Sequence, residues 1–136
     1  MAQIETFDHC GFIVEDIPRA ERFYKSLFGA KTLHIANLNT RRLYNGWPII
    51  MFMEMGGHRF ELCLAQRPLA PRDAKRPFPR IGFAVTKEVL DNLLVTLREQ
   101  NIAYEGPFEF PEPVPIERII RVSDPDGNLL EFTTRR

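Results

Sequence analysis

"HCGFIV" at residues 9–14 comes back, partly rewritten, as "RIGFAV" at residues 80–85. The shared Gly-Phe-x-Val lays His9 over Arg80, Gly11 over Gly82, Phe12 over Phe83 and Val14 over Val85. The same offset returns at the far end of each half. Glu61 in "FELCL" and Glu131 in "LEFTT" are 70 positions apart, and His9 and Arg80 are 71 apart. The chain therefore reads as one pattern used twice, with a histidine exchanged for an arginine.

Around each copy the order of predicted elements is the same. In the first half, alternation over Phe7–Val14 predicts a strand. Asp16 is placed to cap a helix with Pro18 in its first turn and Ile17, Ala20, Phe23, Tyr24, Leu27 and Phe28 at helical spacing, stopped by Gly29. Strands are predicted near Lys31–Asn39, Pro48–Met55 and His58–Ala65, the last two joined at Gly56-Gly57. In the second half Arg80–Val85 predicts a strand, and Thr86 caps a helix with the stripe Val89, Leu90, Leu93, Leu94 and Leu97. Strands near Ile102–Phe108, Ile116–Val122 and Asn128–Thr134 follow, the last reached through the turn "SDPDGN". The expected fold is α+β: two β-α-β-β-β modules, about 4–66 and 79–136. They are joined by "RPLAPRDAKRPFP", whose four prolines in thirteen residues exclude regular structure.

A chain of 136 residues suffices for a single domain with a buried core. A formal net charge of zero without a basic run removes the footprint of a nucleic-acid binder. No apolar run approaches the ~18 residues a membrane helix needs. Cys10 and Cys63 form no zinc spacing and, by strand register, point to opposite faces. A reduced, cytoplasmic protein is expected.

Sorting the strands by their two-residue period separates two faces. One carries Phe12, Val14, Phe60, Leu62, Leu64, Ile81, Phe83, Val85, Leu130 and Phe132, and the helices should cover it. The other mixes the small residues Gly11, Cys63, Ala65, Gly82, Ala84 and Thr133 with His9, Glu61, Arg80 and Glu131. Ionisable groups on a partly enclosed face are costly unless they pair or bind an ion. A face open to water would instead carry them without any role.

"DHCGFIVEDIPRAERFYKSLFGA", "HRFELCLA", "RIGFAV" and "DPDGNLLEF" together resemble the vicinal oxygen chelate superfamily, which holds glyoxalase I, bleomycin and fosfomycin resistance proteins and extradiol dioxygenases. The resemblance implies a curved, open-barrel sheet with the helices outside, and a homodimer binding a small molecule. It also implies a divalent ion held by His9, Glu61 and Glu131, with Mn²⁺, Ni²⁺, Zn²⁺, Fe²⁺ and Mg²⁺ all admissible for that donor set. The fourth family position, commonly histidine, is Arg80 here.

Arginine offers only donors and cannot ligate a cation. One histidine and two glutamates do not make the two-histidine, one-carboxylate iron site of extradiol cleavage. His34 and His58 read as surface residues. Two readings stay open, the first being the expected function and the second its alternative. In the first, the ion binds, the protein is a lyase or isomerase, Glu131 moves a proton and Arg80 grips a substrate acid group. In the second, Arg80 replaces the ion, pairs with a glutamate, and the protein binds or sequesters a ligand as bleomycin-resistance proteins do. Arg80 paired with Glu131 favours the second; His9, Glu61 and Glu131 within coordination reach favour the first. Trp47, beside Tyr44 and Arg41-Arg42, is the candidate to stack on a bound ligand or to pin its loop.

Overall fold

The computed structural model describes residues 3–37, 49–65, 67–71 and 79–136. Its elements run β1 (His9–Val14), α1 (Ile17–Phe28), β2 (Lys31–Asn37), β3 (Ile49–Met55), β4 (His58–Leu64), β5 (Arg80–Ala84), α2 (Lys87–Glu99), β6 (Tyr104–Glu109), β7 (Ile116–Ser123) and β8 (Leu129–Arg135). The chain divides into two compact units, Met1–Ala70 and Pro71–Arg136. Each is a β-α-β-β-β module with a four-stranded mixed sheet, as the repeat predicts.

In the first unit the strand order is β1-β4-β3-β2, with β1 parallel to β4 and the other pairs antiparallel. Helix α1 forms where the sequence placed it. The Asp16 carboxylate accepts from Arg19 N at 2.8 Å, and Gly29 takes the left-handed conformation that closes the helix. Its buried face presents Ile17, Ala20 and Tyr24, and it packs on β4. The Tyr24 ring is fully buried, stacked on Phe12 (centroids 5.8 Å apart) and tilted against Phe60 (5.0 Å). This aromatic cluster covers the apolar face of β1 and β4, each large ring removing up to about 150–250 Å² from water. At the β3–β4 turn Gly56 and Gly57 have φ of 58° and 78°, the two positive values of a two-residue hairpin.

The second unit repeats the order as β5-β8-β7-β6, with β5 parallel to β8. Thr86 caps α2 by accepting from Val89 N at 3.2 Å. Leu90, Leu93, Leu94 and Leu97 are buried, and α2 packs on β8. Val89, placed in the same stripe by spacing, is 49% exposed, because in the first turn its angular position falls outside the leucine face. Asp124 organises the turn before β8. Its Oδ1 accepts from Asp126 N and Asn128 N, and its Oδ2 accepts from Asn128 Nδ2, all within 2.9 Å.

The outer strands start and stop differently from expectation. β6 begins at Tyr104 rather than Ile102, and its register against β7 shifts by one between Glu105 and Phe108. Gly106, at φ 95°, and Pro107 form that bulge. The predicted beginning of β3 at Pro48 and end of β2 at Asn39 lie outside the described residues.

Candidate functional site

Both units raise ionisable side chains from the sheet face opposite their helix. In the first unit β1, β4, β3 and β2 bring Gly11, Glu61, Phe52 and His34 into one row across the sheet. In the second, β5, β8, β7 and β6 bring Gly82, Glu131, Arg121 and Glu105 into the equivalent row. The glycines leave room beside the glutamates. A Cβ on Gly11 would stand 3.8 Å from Glu61 Oε2, and one on Gly82 would stand 4.0 Å from Glu131 Oε1.

The first unit joins His9 to Glu61. His9 Nδ1 donates to Asp8 Oδ2 at 2.6 Å, which turns Nε2 toward Glu61 Oε1, 3.4 Å away. The bond to Asp8, backed by the Glu61 charge, raises the His9 pKa above its ordinary value against the opposing pull of desolvation. Cys63 donates weakly to Glu61 Oε2 at 3.9 Å. Burial first, then the Glu61 charge, pushes its thiol up to about 11. Cys10, turned to the helix-covered face, is likewise raised, mainly by burial.

The second unit joins Arg80 to Glu131, and adds a residue that sequence reasoning missed. Arg80 Nε lies 2.9 Å from Glu131 Oε2, and Arg121 Nε lies 3.1 Å from the same oxygen. Glu131 is 8% exposed, so its charge is held by two guanidiniums in a poorly solvated place. Arg121 also lies over the Phe108 ring, 5.2 Å from its centroid, and its Nη1 stands 3.7 Å from Glu105 Oε2. The signal for Arg121 was its register on β7 opposite Glu131, which requires strand pairing rather than strand identity.

The nominated residues thus fall into two groups. His9 and Glu61 are together in one unit, Arg80 and Glu131 in the other. Trp47, with Tyr44, Arg41 and Arg42, lies outside the described residues. His34 and His58 are exposed, as expected of surface histidines.

The two groups differ in their fitness for a metal ion. A nitrogen and an oxygen 3.4 Å apart match two ligands each about 2.1 Å from a common ion, and Asp8 behind the imidazole is the partner such a ligand needs. Among the described residues of this unit no third His, Cys, Asp or Glu completes a cluster. Glu131 fits less well, since one of its oxygens already serves two cations.

The profile of the Glyoxalase/Bleomycin resistance protein/Dioxygenase superfamily matches residues 6–132. Among solved structures, the fosfomycin resistance protein FosX from Listeria monocytogenes superposes with a TM-score of 0.76 at 19% identity, covering 98% of this chain and 94% of that one. FosX from Mesorhizobium loti gives 0.69 at 21% identity, covering 96% and 92%. A glutamate-to-glutamine mutant of the Listeria protein, complexed with Mn(II) and 1S,2S-dihydroxypropylphosphonic acid, gives 0.73 at 19%, covering 98% and 95%. At these identities the likeness is one of fold.

Proposed function

Because the chain belongs to the Glyoxalase/Bleomycin resistance protein/Dioxygenase superfamily, we propose that it is a small-molecule-binding member in which Arg80 stands where metal-dependent relatives place an ion ligand. One observation carries this reading: the 2.9 Å pair of Arg80 with Glu131. A guanidinium keeps its charge at any physiological pH, so Glu131 is neutralised without a divalent ion. While both guanidiniums hold that oxygen, a further cation there is unfavourable. Such a site holds and orients a ligand by charge and shape, as a sequestering protein requires. A homodimer in the cytoplasm is the setting this reading assumes.

A second reading has its own observation. Asp8, His9 and Glu61 form the oriented half of a metal site, and the complex of a Listeria relative with Mn(II) supports an ion on this scaffold. In that reading the protein is a metal-dependent lyase or isomerase. His9 and Glu61 hold the ion, and Glu131 enters as third donor and proton carrier from the sequence pattern alone. The ion would supply Lewis-acid stabilisation of an oxyanion on the substrate. Arg80 would orient the substrate's acid group.

Calorimetric titration of chelator-treated protein with Mn²⁺ and Ni²⁺, in the wild type and in Arg80→His, separates the two. The first reading expects binding only in the variant.

A further inference from the structure

The guanidinium of Arg121 is over-supplied with donors. It carries five N–H groups, and among the described residues its one hydrogen bond is from Nε to Glu131 Oε2. The Glu105 carboxylate stands at 3.7 Å, beyond hydrogen-bond distance, on a side chain that is 59% exposed. Arg121 itself is only 20% exposed, so its remaining donors face a restricted supply of water. Phe108 covers one face of the cation and Glu131 fixes its Nε corner, which leaves the Nη edge without a hydrogen bond among the described residues.

The backbone creates this arrangement. The one-residue bulge at Gly106-Pro107 returns Phe108 to the same sheet face as Glu105. Without the shift the ring would lie on the opposite face, away from Arg121. In the first module the equivalent row position is Phe52, which offers no N–H donor, so among the described residues the feature occurs once.

We infer that the Nη edge of Arg121 is an oxyanion subsite that takes the carboxylate of a small organic acid. A planar carboxylate matches the parallel N–H pair along one edge of the fork, and partial desolvation strengthens the contact. Glu105 is the competitor: it borders the edge without closing on it, and the ligand displaces it. The inference deepens the metal-free reading by naming its ligand class. An ion bound at His9 and Glu61 would overturn that reading and leave the subsite standing, so the two fail separately.

The test is a calorimetric titration with benzoate, benzamide and inorganic phosphate. Benzoate is expected to bind once per chain and benzamide not at all. Arg121→Ala should weaken benzoate at least about tenfold, and Glu105→Gln should tighten it about two- to fivefold by removing the competing charge. Should Arg121→Ala fail to fold, the Glu105→Gln comparison decides. Benzamide binding as well as benzoate, phosphate binding in its place, Glu105→Gln weakening benzoate, or no saturation up to about 10 mM each overturn the proposal.

Discussion

Arg80 Nε forms an ion pair with Glu131 Oε2 across 2.9 Å, and that contact crosses from β5 to β8, strands more than forty residues apart in sequence. Arg121 reaches the same oxygen from β7, so the glutamate fastens three strands through one atom. Removing it leaves two poorly solvated guanidiniums facing each other. Glu131→Ala should destabilise the protein by about 2–4 kcal/mol, and Glu131→Gln, which keeps an acceptor, by less. Urea unfolding measures both; equal midpoints for wild type and Glu131→Ala would show that the triad does not hold the sheet.

His9 sits between two carboxylates, and its raised pKa has a definite sign for stability. The folded protein binds the imidazole proton more tightly than the unfolded chain does. The resulting stability is complete below the ordinary value of 6.5 and is lost as pH climbs through the folded pKa. Nearly half of the side chain is exposed, so the effect on unfolding is small and the titration itself is the better readout. Followed by NMR, His9 should titrate above 6.5 in the wild type and fall toward it in Asp8→Asn. An unshifted midpoint in that variant would show that Asp8 does not hold the proton.

Cys63 is held as a neutral thiol by burial and by Glu61. With a pKa near 11 its thiolate is scarce at about pH 8, so alkylation by iodoacetamide should be slow there and rise as pH approaches 11. Glu61→Gln removes the neighbouring charge and should increase the rate at the lower pH. Rapid labelling of native wild-type Cys63 at neutral pH would contradict this environment.

A side chain at Gly106 would meet backbone. A Cβ there would fall 2.7 Å from Ile119 O and 2.9 Å from Phe108 N, at a φ of 95° that other residues rarely adopt. Gly106→Ala should therefore cost about 2–4 kcal/mol. It should also release Phe108 from Arg121. Thermal unfolding checks the first effect, and a wild-type melting temperature in the variant would mean that the bulge relaxes freely.

The repeat makes most of this fold legible in the sequence. Matching His9 to Arg80 and Glu61 to Glu131 located four strands and their chemical face. Local cap chemistry at Asp16, Gly29 and Thr86 then bounded the helices, because those signals act through bonds to nearby backbone. What escaped was set by pairing between strands. In sequence Arg121 is only part of a strand, since nothing near it reveals that its register partner is Glu131. The shift at Gly106 depends likewise on β7, although Gly-Pro inside a predicted strand was a usable warning. Which glutamate Arg80 would choose was also undetermined, because the identities of the residues fix charge but not reach.

The proposal that a guanidinium occupies the position of a metal ligand in this chain is tested most directly by isothermal titration with Ni²⁺. Chelator-treated wild-type protein and Arg80→His are compared, since nickel gives a His/Glu site its strongest opportunity among the common candidates. The wild type is expected to show no micromolar binding, and Arg80→His to take one ion per chain. Stoichiometric micromolar binding by the wild type, abolished in His9→Ala, would contradict the proposal and make the metal-dependent enzyme the correct reading.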